Sequence, residues 1–171
     1  PEGRRIFLFY GGAYRRKGLH LVVEALLNLP DRTSVFLFCV GEPPKDAAVA
    51  RGLEELARRG RACVAGRYVS AEEEKLAFAA SDFVLLPYLK HFGGSGVLAR
   101  AAGAGKPVIV SDEQLLGRWA RELGLGLVFP SGDPVALRRA IERAAAAPPV
   151  ELLQWQTAAK AHGEKCSRAA F

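Results

Sequence analysis

The 171 residues include no methionine, only three cysteines and only three histidines. Each shortage removes a class of function. Cys39, Cys63 and Cys166 are odd in number and far apart, which suits neither a disulfide framework nor a zinc site. A reducing, cytoplasmic compartment is therefore expected, with no bound metal. No apolar run approaches the ~18 residues of a membrane-spanning helix. The opening PEGRRIFLFY lacks the long apolar region and small-residue cleavage site of a secretory signal. Zinc-finger and helix-turn-helix patterns are absent, and basic residues are not interleaved with aromatics, so nucleic acid is not an expected partner. The net charge of +6 leaves a solvated basic surface or an anionic partner. That partner is either the phosphates of a small ligand or, as a peripheral membrane contact, acidic lipid headgroups. A chain that starts at Pro1 and has no methionine reads as cut from something longer.

Half of the residues are hydrophobic and a quarter are charged, as in an ordinary globular domain. Short apolar runs alternate with helical periodicity about six times. The runs are Arg5–Tyr10, Ser34–Val40, Arg61–Ala65, Phe83–Pro87, Pro107–Val110 and Leu127–Phe129. Helices are expected over Gly18–Leu29, Asp46–Arg59, Ser70–Ala80, Gly96 to about Gly103, Glu113–Leu123 and Pro134–Ala146, then from Val150 to about Ala170. Ser70 with Glu73 forms a capping box, and Asp133-Pro134 is an N-cap followed by proline at the first helical position. Strict alternation implies a doubly wound, Rossmann-like α/β fold with a mostly parallel six-stranded sheet and helices on both faces. The whole of 1–171 is read as one domain with its ligand crevice at the carboxyl ends of the strands.

Three loops at that edge attract attention. Phe92-Gly93-Gly94-Ser95-Gly96 opens a helix, so its backbone N–H groups face outward at the positive end of the helix dipole. Gly94-Ser95-Gly96-Val97-Leu98-Ala99 also matches the G-x-G-x-x-A dinucleotide pattern, with Asp112 after the next strand. Against that, the pattern follows about the fourth strand, not the first. Gly11-Gly12-Ala13-Tyr14-Arg15-Arg16-Lys17-Gly18 places three cations between a strand and a helix, chemistry suited to a diphosphate. Gly66-Arg67-Tyr68 offers backbone contacts and stacking for a base. Close helix packing, an exposed basic turn and an ordinary connection are the plainer alternatives for the three. Gly103-Ala104-Gly105-Lys106-Pro107 is no Walker loop, because proline follows the lysine. His91 alone of the histidines falls in a crevice loop and is the one catalytic candidate.

Taken together, FLFYGGAYRRKGLHLVVEAL, FLFCVGEPP, VAGRYVSAEEEKLAFAASDFVLLPY and GVLARAAGAGKPVIVSD resemble, in order and spacing, the C-terminal, donor-binding half of GT-B glycosyltransferases of group 1. The resemblance implies one half of a GT-B architecture that binds a nucleoside diphosphate sugar as substrate, with no resident cofactor. Lys17, helped by Arg15 and Arg16, would face the diphosphate, with the amides of Gly93, Gly94, Ser95 and Gly96 on its other side. Gly66, Arg67 and Tyr68 would lie near the base. The acceptor would sit on an N-terminal domain of the full-length protein, with the helix from 150 to 171 packing back across it. Two departures stand out. The family's paired glutamates fall at Phe92 and Arg100, and its usual loop arginine falls at Gly12. His91 and Arg100 would then stand in, at the sugar and at the ribose or phosphate. Alternatives are a non-catalytic nucleotide-binding or interaction module on the same scaffold and, from the dinucleotide pattern, a nicotinamide-binding domain.

Overall fold

The computed structural model describes residues 3–168. Six strands, β1 (Arg5–Tyr10), β2 (Val35–Val40), β3 (Ala62–Ala65), β4 (Phe83–Leu86), β5 (Val108–Ser111) and β6 (Gly126–Phe129), form one sheet in the order β3-β2-β1-β4-β5-β6. Every neighbouring pair is parallel, with Arg5 opposite Val35 and Phe7 opposite Phe83. Parallel neighbours need crossovers, and helices supply them: α1 (Leu19–Leu27), α2 (Ala47–Arg58), α3 (Ala71–Ala80), α4 (Gly96–Gly103), α5 (Gln114–Glu122) and α6 (Pro134–Ala145). A closing helix, α7 (Pro149–Arg168), follows the Pro148-Pro149 break. The doubly wound α/β fold expected from the sequence is the one observed, with boundaries shifted by a residue or two. The last residues of the expected terminal helix lie outside the described residues.

Because strand side chains alternate, the sheet has two apolar faces and two cores. Phe7, Phe9, Leu37, Phe83, Leu85 and Ile109 point to one face, where α1, α2 and α6 cover them. Leu8, Val84, Leu86, Val108 and Val110 point to the other, under α3, α4 and α5. Caps set the helix starts. Asp46 accepts from the amides of Ala48 and Val49, and Asp133 from those of Val135 and Ala136. Ser70 and Glu73 form the reciprocal pair expected.

α7 touches both cores. Leu152 and Trp155 join the first, the Trp155 ring meeting Phe83 edge-on at 5.9 Å. Farther along, Ala158 packs on the second core, and buried Gly163 lies directly on the backbone of α4. A methyl at Gly163 would come within 2.6 Å of the Ala102 carbonyl. Helix propensity alone makes Gly→Ala stabilising by about 1 kcal/mol. Gly163→Ala is instead expected to lower the urea midpoint; a raised midpoint would show that α7 does not need this close approach.

Candidate functional site

The strand order reverses between β1 and β4, and in such sheets ligands bind outside the carboxyl ends at that junction. The loop after β1 and the loop after β4 are therefore the two walls of the crevice. Both are loops singled out by the sequence.

The first wall is Gly11–Gly18. It contains a 3-10 turn, Arg15–Lys17, that ends at Gly18 in the left-handed conformation (φ 75°). A Cβ at Gly18 would fall 1.8 Å from the Pro87 carbonyl oxygen, so only glycine lets the two loops touch. One residue beyond Tyr88, the Leu89 amide donates to the Arg16 carbonyl at 2.8 Å.

Tyr88 joins the walls. It follows β4, is almost fully buried, and its hydroxyl accepts a hydrogen bond from Lys17 Nζ at 2.7 Å. The ammonium also lies 3.9 Å from the centre of the Tyr88 ring, within cation–π range. Burial, and then the charge of Arg16, bring the Lys17 ammonium down to about 8. On the far side, Ser95 Oγ approaches the same hydroxyl at 3.4 Å. Ser95 is the N-cap of α4 and accepts from the Leu98 amide at 3.3 Å. The amides of Gly96 and Val97, in the same first turn, have no acceptor within the helix. One cation and one helix N-terminus thus meet across a single phenol.

The loop between Tyr88 and Ser95 is held by Glu113. Its carboxylate accepts from the Lys90 amide at 2.9 Å, the His91 amide at 3.3 Å and Ser131 Oγ at 2.5 Å. Burial would raise this carboxyl, but the three hydrogen bonds outweigh it and hold it below its ordinary value. His91 stands edge-on to Tyr88 with ring centres 5.0 Å apart, and its Nε2 lies 3.3 Å from the Gly94 carbonyl. Gly93 and Gly94 precede the helix, whereas Gly96 is inside it.

The remaining sequence candidates are placed less centrally. Arg100 is tied up: its Nε donates to Glu74 at 2.7 Å and its Nη1 to the Gly96 carbonyl at 3.2 Å. Glu74 also accepts from the Tyr10 hydroxyl, and burial together with this bond pushes Tyr10 up to about 12. Arg67 is forked onto Glu73 at 3.1 and 2.5 Å. Beside it Tyr68 is 84% exposed at the end of β3, two strands away from β1. Arg15 and Arg16 are exposed on the outer side of the first wall. Gly12 lies against the ring of Tyr14, whose hydroxyl donates to Glu42 at 2.9 Å. A hollow of about 300 Å³ between the loops after β1 and β2 is lined by Tyr14, His20, Glu42 and Pro43.

Lys17, Gly93–Gly96 and His91 are therefore brought together, Arg15 and Arg16 flank them, Arg100 reaches them only through the Gly96 carbonyl, and Gly66–Tyr68 stand apart. Tyr88, Glu113, Glu74 and Tyr10 were not foreseen as site residues. A tyrosine at the end of an otherwise apolar strand is a signal that could have found the first. The dinucleotide arrangement is not the one present: the Gly94–Ala99 turn follows β4, while the loop after β1 reads Gly11-Gly12-Ala13-Tyr14. Among the described residues no cluster of three histidine, cysteine or acidic side chains is placed to hold a metal ion. No described helix is long and apolar enough to cross a membrane.

Known proteins share this fold. The probable glycosyltransferase WbjE of Pseudomonas aeruginosa is 30% identical over 146 residues, covering 82% of this chain and 36% of its own length. The crystal structure of WaaG, a glycosyltransferase involved in lipopolysaccharide biosynthesis, superposes with a TM-score of 0.74 at 26% identity. It covers 96% of this chain and 44% of WaaG. HepE of Anabaena, solved in complex with UDP, shares the fold with a TM-score of 0.75 at 17% identity, over 95% of this chain and 44% of HepE. The chain thus spans less than half the length of each of these proteins. The sequence model for glycosyl transferases of group 1 matches residues 4–147, a stretch that runs through both walls of the crevice, and the chain belongs to that family.

Proposed function

We propose that this chain is the donor-binding domain of a glycosyltransferase and holds a nucleoside diphosphate sugar in the β1/β4 crevice. The observation that carries the reading is the convergence on Tyr88 of the Lys17 ammonium and the first turn of α4. A diphosphate placed there meets a cation on one side and unpaired amides on the other. Both stabilise the negative charge that develops on the leaving diphosphate when the sugar is transferred. His91, beside Tyr88, is assigned to the sugar side, and the exposed aromatic surface of Tyr14 and Tyr68 to the base. That HepE was solved with UDP supports a uridine diphosphate as the first ligand to try.

The same proposal includes an acceptor held by a further, N-terminal domain of a longer protein, in keeping with relatives more than twice this length. Val150 and Leu153, apolar and exposed on the first turn of α7, are assigned to that contact. A cytoplasmic setting and the absence of a resident cofactor belong to the proposal as well. One observation favours a second reading, a non-catalytic module. Phe92 is 74% exposed and Arg100 is already paired with Glu74, at the two positions where the family's acidic pair is expected. Turnover by the full-length protein with its natural Phe92 and Arg100 would dismiss that reading. Turnover only after Phe92→Glu and Arg100→Glu would establish it.

UDP titrated into the chain by calorimetry is expected to bind at millimolar concentration or tighter. Lys17→Met should weaken it by about tenfold or more, the scale of one charge-assisted contact to phosphate. No heat and no NMR shift with UDP or GDP would overturn the reading. The pH dependence follows from Lys17. It is charged below about 8 and neutral above, and the diphosphate prefers the charged form. Affinity should therefore be level at neutral pH and begin to fall as pH rises through about 8. Lys17→Arg, whose guanidinium keeps its proton, should remove that fall. An unchanged pH profile in the arginine variant would separate Lys17 from the phosphates.

A further inference from the structure

The edge of the sheet opposite the crevice carries a second basic hollow that the donor site does not use. The residues immediately before β1, β2 and β3 are Arg4, Ser34 and Arg61. These three strands are neighbours in the sheet, so the three residues share one edge. With Asp31, Arg32, Thr33 and Arg59 they surround a hollow of about 240 Å³. Four arginines and one acidic residue, Asp31, line it, and Glu55 pairs with Arg59 from outside the lining.

Arg61 is the telling residue. It is only 7% exposed, a degree of burial that arginine rarely shows without a partner. Its Nη1 donates to the Leu29 carbonyl at 3.2 Å. The nearest carboxylate, Asp31, is 3.8 Å away and 94% exposed, so it is a solvated and weak counter-charge. Arg61 Nη2 is buried and has no hydrogen-bond partner among the described residues. Burial, opposed by Asp31 and reinforced by the charges of Arg4 and Arg59, lowers the guanidinium from its ordinary value. The neighbours are only partly engaged: Arg4 donates to the Gly60 carbonyl and Arg59 to Glu55. Thr33 and Ser34 add hydroxyl groups to the lining. A buried donor without an acceptor is costly, and like charges gathered round it raise that cost. A multivalent oxyanion in the hollow offsets the gathered positive charge around the buried guanidinium, and the guanidinium fork suits a phosphate best.

We propose that this hollow is a second anion site, distinct from the donor crevice, that takes a phosphate monoester through Arg61, Arg4, Arg32 and Arg59. The same chemistry is presented by a free phosphate and by a phosphomonoester headgroup at a lipid surface.

The test is an NMR titration of the chain with inorganic phosphate at low salt, in the Lys17→Met background so that the crevice contributes little. Saturable shifts at Arg4, Thr33–Val35 and Arg61 are expected. Arg61→Gln should abolish them. Exposed Arg32→Gln, which leaves the core untouched, should weaken them by about tenfold. In the same Lys17→Met background, phosphate should also raise the melting temperature, and adding Arg61→Gln should remove that rise. Co-sedimentation with phosphatidylcholine vesicles containing phosphatidic acid identifies the source. Pelleting that is lost in Arg32→Gln assigns a headgroup, and phosphate binding without pelleting assigns a soluble phosphate. The proposal is overturned if phosphate produces no saturable shift at these residues and no pelleting occurs, or if Arg32→Gln titrates like the parent. The arginines would then serve only to cap the Leu29 and Gly60 carbonyls.

Discussion

The contact between Lys17 and Tyr88 is the one on which the crevice depends. The Leu89–Arg16 hydrogen bond and the Gly18–Pro87 approach already bring the loops after β1 and β4 together, but they place no functional side chain. With the Lys17–Tyr88 contact, a cation and a helix N-terminus share one phenol as a common reference point. The geometry behind it is steric as much as electrostatic. Gly18 has no side chain, so the 3-10 turn rests on the Pro87 carbonyl, and the Arg16 carbonyl receives the Leu89 amide. Farther out, the Glu113 carboxylate fixes the amides of Lys90 and His91, so the glycine turn is held from behind rather than left to find its own path. Preorganised donors of this kind need no rearrangement when a phosphate arrives.

Much of this was legible in the sequence, for reasons that are local. The Ser70–Glu73 box, the Asp133 cap and the apolar runs of the strands are each decided within a few residues. The glycine turn and the Arg15–Lys17 cluster were equally visible, because their residue types have few other uses. What could not be read were the pairings. Tyr88 looks like the first residue of a long loop until Lys17, 71 positions earlier, is placed beneath it. Arg100 reads as a free cation on α4, yet Glu74, 26 positions earlier on α3, occupies it. The first pair joins loops after β1 and β4, which are distant in the chain but neighbours in the sheet. The second joins helices after β3 and β4, which are consecutive in the chain but three places apart in the sheet; the order β3-β2-β1-β4-β5-β6 sets both relations. Composition and spacing carry no record of that order.

The net positive charge also resolves into places. Part of it is spread over the surface as solvated arginine, and part is gathered in two places. One concentration lies at the carboxyl edge of the sheet, where Lys17 meets Tyr88 beside the start of α4 and Arg15 and Arg16 are exposed next to it. Another lies at the amino edge, where Arg4, Arg32, Arg59 and Arg61 close round a hollow. The sheet separates them, and its strands link the two ends covalently: β1 begins directly after Arg4 and leads to the Gly11–Lys17 loop.

The docking of α7 has a mechanical consequence for the crevice. α4 presents its first turn to the crevice, while Gly163 of α7 bears on its last turn at Ala102 and Gly103. Trp155, on the same helix, is wedged against Phe83, the first residue of the strand that leads to Tyr88. α7 therefore acts as a strut braced against both parts of the second wall. The crevice-facing amides of α4 cannot recoil along the helix axis without displacing the strut. Any opening or closing of the crevice must then come from the exposed glycine loop or from motion of the domain as a rigid body, not from a sliding of α4.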